Sequence, residues 1–414
     1  MARKMKASGI EWIGEIPEGW EVIRLKYLAD FEPTCDTSYL TDESKITYTP
    51  MECVKNGGFE NRSALYGNLS HTLTPFQNGD IAMAKVTPCF ENGNIAIMNN
   101  LFSGFGLGSS ELFIFRPKSI STHYFFYWLQ NKAFVARACS TMTGTGGLKR
   151  ISPSFIRNCP VHYPSTDEQT KISDYLDAKC SEIDVLLSKT RSSIEEYKKL
   201  KQAVITQAVA TQQCSHIKLK YLMNVIVDCP HETPTYSFTG NYYVIRTADQ
   251  ALASLRRDED MYRLDVSEYK KRTRRLTLDK DDIVYGREGE RWGLACIVPE
   301  SNKYCLGQRI MQFRCNTKFL YPKYAMYALN SESVYLQGVA DTIGSTSPHV
   351  NISTICNYLL PVPTLTEQKE IADYLDAKCA KIDGLIAKKG QLVKEMESYK
   401  KSLIYEVVTG KREV

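Results

Sequence analysis

The feature that most constrains the fold of this chain is an internal duplication of a long amphipathic segment. The stretch EQTKISDYLDAK at 168–179 recurs as EQKEIADYLDAK at 367–378, an offset of 199 residues. The two copies continue without a gap to Val209 and Val408. Self-similarity at a fixed offset indicates that one structural unit has been copied, so the fold must contain this segment twice.

Weaker matches lie upstream of each copy. The stretch LKYL at 25–28 recurs at 219–222, and Asp80 followed by Ile81 recurs as Asp282 followed by Ile283. These anchors indicate that each half of the chain is a copy of a whole domain. Between the anchors the halves differ widely, as expected of two copies adapted to different targets, although ordinary drift would leave the same pattern.

Each repeated segment predicts one long helix. No proline interrupts either stretch, and roughly 43 residues at about 1.5 Å each would give a rod of about 65 Å. We expect Thr166 and Thr366 to cap the two helices. Apolar residues recur three and four positions apart, which predicts one buried stripe on each helix and antiparallel packing of the two stripes. The stripe residues chosen for this pairing are Ile172, Leu176, Ile183 and Leu186 in the first copy and Ile371, Leu375, Ile382 and Leu385 in the second.

The regions before the helices have a different pattern. Short runs rich in Val, Ile, Tyr and Phe are bounded by Gly, Asn, Asp and Pro, which is typical of strands in small mixed domains. We therefore predict an α+β fold: two related mixed α/β domains joined by two long, coiled-coil-like antiparallel helices, with a pseudo-twofold internal duplication. The predicted boundaries are 1–165 and 214–365 for the domains and 166–213 and 366–414 for the helical regions.

Composition narrows the class of protein. Apolar residues make up 43% of the chain and charged residues 24%, which fits folded domains rather than disorder. The longest apolar runs are too short to span a bilayer, so we expect no membrane contact. The 13 cysteines contain no Cys-x-x-Cys pair, which favours reduced, mostly buried thiols in a cytoplasm. A net charge of +5 permits a nucleic-acid partner without requiring one.

Motifs for catalysis are missing from the sequence. There is no phosphate-binding loop, no Pro-Pro pair of the kind found in adenine methyltransferase sites, and no metal-ligand spacing among the six histidines. We therefore predict no catalytic residue and no metal site. An acidic nuclease site, whose sequence signature is degenerate, stays open at this point.

Basic and polar loops are the remaining candidates for function. Arginine and lysine can contact phosphates or read guanine, and glycines allow the backbone to approach a ligand closely. Solvated turns, local salt bridges or flexible connectors would look similar. The candidate DNA-binding residues are Lys85, Asn92, Lys149, Arg150, Lys270, Lys271, Arg272, Arg274, Arg275, Arg287, Arg291 and His349.

The chain resembles the specificity subunits of type I restriction-modification systems. The resemblance covers nearly the whole chain and is most specific in SGIEWIGEIPEGW at 8–20 and in the two copies of Glu-Gln-x-x-Ile-x-x-Tyr-Leu-Asp-x-Lys. It implies two target-recognition domains that each read one half of a bipartite, asymmetric site in double-stranded DNA. Target domains of this family diverge too far for base-contacting residues to be carried over.

The resemblance also implies partners and cofactors. Two methyltransferase (modification) subunits, which bind S-adenosylmethionine, would dock mainly on the helices, and restriction/translocase subunits would bring ATP and Mg²⁺. This chain itself would bind no cofactor and would not be an enzyme. Two alternatives remain: a coiled-coil scaffold that binds proteins through its paired ends, or a fused, stand-alone nuclease or methyltransferase.

Overall fold

The computed structural model describes residues 3–70, 72–144, 147–210, 214–342 and 348–414. The chain divides into two compact units, called here unit 1 (1–190 and 392–414) and unit 2 (191–391). Each unit therefore contains one part of each long helix, and the borders between the units fall inside the predicted helical regions. Within the described ranges, no helix is both long enough and apolar enough to cross a membrane.

Unit 1 is built around two four-stranded sheets. One is antiparallel with the order β11-β10-β13-β4, and the other is mixed with the order β8-β5-β12-β9. Strand β14 pairs with β3 just before the first long helix. The elements are β1 (Met5–Ala7), β2 (Glu15–Pro17), β3 (Glu21–Arg24), β4 (Ala29–Phe31), β5 (Lys45–Thr49), β6 (Val54–Lys55), β7 (Gly58–Phe59), β8 (Arg62–Leu65), β9 (Thr74–Gln77), β10 (Ile81–Ala84), β11 (Ile95–Ile97), β12 (Phe105–Gly108), β13 (Leu112–Pro117), α1 (Thr122–Trp128), α2 (Lys132–Ser140), α3 (Pro153–Asn158), β14 (Pro160–Tyr163) and α4 (Thr166–Val209).

Unit 2 repeats this arrangement. Its antiparallel sheet has the order β16-β24-β21-β22, its mixed sheet the order β20-β17-β23, and β25 pairs with β15 as β14 pairs with β3. The elements are β15 (Ser215–Lys218), α5 (Leu219–Leu222), β16 (Met223–Asp228), β17 (Tyr242–Ile245), β18 (Gln250–Ala251), β19 (Ser254–Leu255), β20 (Tyr262–Leu264), α6 (Val266–Arg272), β21 (Ile283–Gly286), β22 (Ala295–Ile297), β23 (Tyr304–Leu306), β24 (Ile310–Cys315), α7 (Pro322–Leu329), α8 (Glu332–Val339), α9 (Ile352–Cys356), β25 (Leu359–Val362) and α10 (Leu365–Val408). The predicted α+β duplication is confirmed.

The upstream sequence anchors form an ion pair in each unit. In unit 1, Asp80 accepts two hydrogen bonds of 2.8 Å from Arg116. In unit 2, Asp282 accepts two of 2.8 Å from Arg314. Both carboxylates are nearly fully buried, and a buried charge is tolerated only when it is paired and hydrogen-bonded. The repeated Asp is therefore a structural residue at the start of the central strand.

Buried glutamines fix the start of both long helices. Gln169 accepts from the backbone N–H of Ser121 at 2.8 Å, and Gln368 accepts from that of Tyr321 at 2.7 Å. The predicted capping residues were wrong by one residue in α4 and by two residues in α10. Thr166 and Thr366 lie inside the first turns, whereas the side-chain oxygens of Ser165 and Thr364 accept from the N–H groups of Glu168 and Glu367.

The two long helices run antiparallel within unit 1. Asp184 of α4 accepts two hydrogen bonds of 2.7 Å from Lys400 of α10, and further back on α4 the ring of Tyr175 lies under Arg412. Moving towards the start of α4 thus corresponds to moving towards the end of α10. Ile172, Leu176 and Leu187 share one apolar core with Leu403 and Val407.

The helix segments of unit 2 are also antiparallel. Lys201 of α4 donates to both oxygens of Asp383 at 2.8 and 3.0 Å, and Tyr197 lies beneath Lys389. Asp184 and Lys201 in α4 correspond to Asp383 and Lys400 in α10 at the 199-residue offset, so the same ion pair is built once in each unit.

Two of the stripe residues are exposed. Leu186 is 52% exposed and Leu385 is 41% exposed, which corrects the prediction that they pair the helices. Ile172, Leu176, Ile183, Leu375 and Ile382 are buried, and Ile371 is half-buried. Adjacent residues on a helix point about 100° apart, so of Leu186 and Leu187 only one can face inward, and that one is Leu187, which is 5% exposed.

Substituting these neighbouring leucines should give unequal results. Leu187→Ala removes a buried side chain and should cost about 2–3 kcal/mol of unit 1 stability, whereas Leu186→Ala should change stability by less than about 0.5 kcal/mol. Thermal unfolding of the two variants measures the difference. Equal melting temperatures would contradict the assignment of the inward face.

Candidate nucleic-acid interface

Unit 1 brings together two loops that the sequence analysis had selected separately. The loop after β10 (residues 85–94) is hydrogen-bonded to the segment before α3. The N–H of Thr87 donates to the carbonyl of Lys149 and the N–H of Ile151 donates to that of Lys85, each at 3.0 Å. These backbone bonds fix a composite loop surface at one end of the antiparallel sheet.

Unit 2 builds the same surface from equivalent segments. The loop after β21 (residues 287–294) is hydrogen-bonded to the segment before α9. The N–H of Gly289 donates to the carbonyl of Pro348 at 2.8 Å, and the N–H of Val350 donates to that of Arg287 at 3.2 Å. The segment before α9 is described only from Pro348 onward, because residues 343–347 lie outside the described residues. We call the surface in each unit the paired-loop site.

The side chains on the paired-loop site of unit 1 are mainly exposed. Asn92, Lys149 and Arg150 are exposed, while Lys85 is half-buried with its Nζ 5.4 Å from the ring centre of Phe113. Lys149 and Arg150 are therefore better placed than Lys85 to contact a ligand.

A carboxylate holds the guanidinium of Arg150. Its Nε and Nη2 donate to Glu111 at 3.0 and 2.6 Å, and these hydrogen bonds lower the pKa of Glu111. Nη1 makes no hydrogen bond within the described part of the chain. An arginine oriented in this way can offer its remaining N–H groups to a phosphate or to the edge of guanine.

Unit 2 carries different side chains at equivalent places. Arg291 is exposed and its Nη1 donates to the carbonyls of Ala248 and Gln250 at 3.0 and 3.2 Å. His349 is half-buried and pairs through its backbone with Glu288. The two paired-loop sites therefore share a backbone frame but differ in charge and shape.

Arg287 does not fit its predicted role as a DNA contact. It is 8% exposed, and its guanidinium forms an ion pair with Glu288 and lies 3.5 Å from Asp228. Because its donors are directed to carboxylates of the protein, it stabilises the loop rather than contacting a ligand.

The basic run at 270–275 divides into a structural part and an exposed part. Arg272 has its side chain almost fully buried and donates to the carbonyls of Leu306 and Glu232, which corrects its prediction as a DNA contact. The cause is helical geometry, since the inward face of α6 carries Tyr269 and Arg272, three residues apart. Lys271 is exposed and bonds Glu232 at 2.6 Å. Lys270, Arg274 and Arg275 are exposed.

Two exposed side chains were missed by the sequence analysis. Arg309 is exposed and holds a positive φ of 69°, and its carbonyl accepts from the N–H of Arg287 at 2.9 Å, which places it on the paired-loop site of unit 2. Phe238 is fully exposed in the loop that follows β16. Arg309 gave no local signal, whereas an aromatic residue within a run of Pro, Thr, Ser and Gly could have been noticed.

One small cluster has the residue types of a metal site. Ligand atoms of Asp228, Cys229 and His231 lie within 4.8 Å of one another. Burial raises the pKa of Cys229, its sulfur accepts from the N–H of Arg309, and Arg287 lies beside Asp228. A neighbouring guanidinium and a protonated thiol both disfavour a cation, so these residues do not fit a metal centre.

The two halves of the chain match one known family. Residues 17–196 and 228–395 each match the type I restriction modification DNA specificity domain. The chain belongs to this family. Its two specificity domains carry the two paired-loop sites, one in each copy.

Several named relatives share parts of the sequence. The specificity subunits of the type I restriction enzymes EcoEI and EcoAI from Escherichia coli are 30% and 32% identical over 208 residues, which is 49% of this chain. The matched segment spans 35% of the length of each of these relatives. The MjaVIII specificity subunit of Methanocaldococcus jannaschii is 22% identical over 425 residues, covering 96% of this chain and 93% of that subunit.

A solved structure shares the fold of this specificity-domain chain. A chain from a type I R-M system, studied for complex assembly and conformational transition, superimposes with a TM-score of 0.71. The superposition covers 96% of this chain and 99% of the other at 16% sequence identity. At that identity the likeness concerns the fold alone.

Proposed function

We propose that this chain is the DNA-recognition subunit of a type I restriction-modification complex, in which it reads a bipartite, asymmetric site in double-stranded DNA. The observation that carries the proposal is that two specificity domains build the same paired-loop site with different side chains. A shared backbone frame explains why both would approach a duplex in the same way. Different side chains explain why the two half-sites would differ.

The same proposal assigns the chemistry to partner subunits. Two modification subunits would bind S-adenosylmethionine and methylate adenine, and restriction/translocase subunits would use ATP and Mg²⁺. This chain would act without a cofactor of its own, as a non-catalytic subunit in the cytoplasm. The absence of disulfides among its 13 cysteines, all of which lie in described segments, is compatible with that compartment.

Methylation mapping tests the division into half-sites. Long-read sequencing of DNA from cells that carry the complete system reads the modified motif directly. We expect Asn92→Ala with Lys149→Ala to relax one half of the motif and Arg291→Ala with Arg309→Ala to relax the other. Lys198→Ala, which removes an exposed cation from α4, is the control and should leave both halves unchanged. A motif unchanged in all variants would argue against the paired-loop sites as readers.

The basic run of unit 2 gives a second, quantitative prediction. Arg274→Ala with Arg275→Ala should leave thermal stability unchanged and weaken DNA binding by the assembled complex. If both arginines contact phosphates, the slope of log K against log salt concentration should fall by about 2. Arg272→Ala is the contrasting variant, because it leaves buried carbonyls without donors and should lower stability by about 2 kcal/mol. An unchanged salt slope would remove these arginines from the interface.

A further inference from the structure

The duplicated Asp–Lys ion pair has different surroundings in the two units. In unit 2, Lys201 uses all three of its N–H groups: two bind Asp383, and the third donates to the carbonyl of Leu252 at 2.7 Å. Its side chain is only 5% exposed. Leu252 lies at the tip of the β18–β19 hairpin and packs with Ala253 against the core of unit 2.

Unit 1 has the same hairpin with a different tip. Strands β6 and β7 pair as β18 and β19 do, and they lie beside β11 as the second hairpin lies beside β22. Asn56 and Gly57 replace Leu252 and Ala253, and Gly57 and Ala253 both have positive φ, of 87° and 56°. The tip of the hairpin in unit 1 therefore has the same backbone form without the aliphatic side chain.

This difference leaves an open pocket in unit 1. The pocket has a volume of about 600 Å³, and its lining includes Gly57, Ile97, Phe126, Asp184, Val185 and Lys400. Within the described residues, Lys400 donates only to the two oxygens of Asp184, and its side chain is 16% exposed. The lining thus combines apolar groups, the carboxylates of Asp177 and Asp184, and one lysine N–H that has no acceptor among the described residues.

We propose that this pocket binds a turn of a partner protein that presents an aliphatic side chain and a free backbone carbonyl. Unit 2 shows such an arrangement within the chain itself. There the carbonyl of Leu252 accepts from Lys201, the lysine equivalent to Lys400, and the aliphatic side chain of Leu252 packs against the core. Complementarity points to the same ligand, because Lys400 has one N–H that can donate to a carbonyl and Ile97, Phe126 and Val185 offer apolar contact. A neutral peptide turn provides both groups, whereas a free carboxylate would be repelled by Asp177 and Asp184, which also line the pocket.

The identity of the partner rests on the proposed function, under which a modification subunit would dock on each half of the chain. The pocket would then give the modification subunit bound at unit 1 a contact that its counterpart at unit 2 lacks, because there Leu252 already occupies the equivalent place. The two partner sites on this chain would therefore differ in affinity despite their shared design.

The experiment fills the pocket in two independent ways. Asn56→Leu transfers the aliphatic side chain of the second tip to the first and keeps Gly57, whose φ of 87° an alanine would adopt only with strain. Ser188→Trp fills the pocket from α4. Lys55→Leu is the matched control, because it adds an aliphatic side chain on the same hairpin at a residue that does not line the pocket. Titration of the full chain with its modification subunit, followed by mass photometry, gives the two stepwise affinities.

We expect both filled variants to weaken one of the two binding steps by about tenfold, with the control unchanged and all melting temperatures preserved. Stepwise affinities within about twofold of the original chain in both filled variants would overturn the proposal, as would equal weakening by Lys55→Leu. Methylation mapping of the unmodified complex is read separately. A correct bipartite motif together with unchanged affinities would reject the pocket and leave the proposed function standing.

Discussion

Acidification from pH 7 to pH 4 is expected to destabilise unit 1 by about 3 kcal/mol through one buried histidine. His162 of β14 is 1% exposed, and the indole N–H of Trp128 donates to its Nδ1 at 3.1 Å. The pKa of His162 is lowered to about 4, mainly by burial; the carbonyl of Val408 raises the pKa, and the nearby charge of Lys411 lowers it. Protonating Nδ1 would also break the bond from Trp128.

The sign follows from the two states. Above about pH 6.5 the ring is neutral in both the folded and the unfolded chain, and the stability of unit 1 is at its full value. Between pH 6.5 and pH 4 only the unfolded chain takes up the proton, so stability falls as the pH falls. Below pH 4 both states are protonated, and this residue contributes no further loss.

Tryptophan fluorescence during thermal unfolding measures this effect, since Trp12, Trp20 and Trp128 lie in unit 1 and only Trp292 lies in unit 2. The melting temperature of unit 1 should fall by roughly 6–12 °C between pH 6.5 and pH 4. His162→Gln keeps an acceptor for Trp128 and should remove most of that fall. His216→Gln, which removes an exposed histidine from unit 2, should keep it. An equal fall in the original chain and in His162→Gln would exclude His162 as the cause.

The sequence predicted the helices better than it predicted their contacts. An uninterrupted apolar period and a gapless repeat indicate the length of a helix, because both can be read directly along the sequence. Which of two adjacent leucines, such as Leu186 and Leu187, faces inward depends on how far the apolar stripe drifts around the helix axis along its length. It also depends on the residues that the helix packs against. The same limit applied to the caps, where Ser165 rather than Thr166 is used.

In the candidate site, too, the sequence indicated local features but not tertiary contacts. The sequence located both loops of each paired-loop site, because glycines and cations in polar loops are visible locally. It could not show that Arg272 and Arg287 serve the fold. The partners of Arg272 are the carbonyls of Leu306 and Glu232, which lie far from it along the chain. Such partners appear only once the tertiary structure is known.

The second large effect concerns the base pairs that lie between the two half-sites and are read by neither domain. We propose that the lengths of α4 and α10 set the number of unread base pairs. Asp184 and Lys201 are seventeen positions apart in α4, and Asp383 and Lys400 are seventeen positions apart in α10. Asp184 pairs with Lys400, and Lys201 pairs with Asp383. A deletion in α4 alone would shorten the distance between Asp184 and Lys201 but not that between Asp383 and Lys400, so the two ion pairs could not form at the same time. The sharper design removes residues 189–195 and 388–394 together.

This double deletion should shorten the unread gap of the methylated motif by about three base pairs and leave each half-site unchanged. Seven residues correspond to about 10 Å of helix, and base pairs of duplex DNA are about 3.4 Å apart. Seven residues are also close to two helical turns, so the apolar stripe stays nearly in phase and both ion pairs can form. Deleting 189–195 alone is the control, and it should lower the melting temperature without producing a new motif. Methylation mapping reads the outcome, and an unchanged gap in a stable double-deletion variant would show that the helices do not set the spacing.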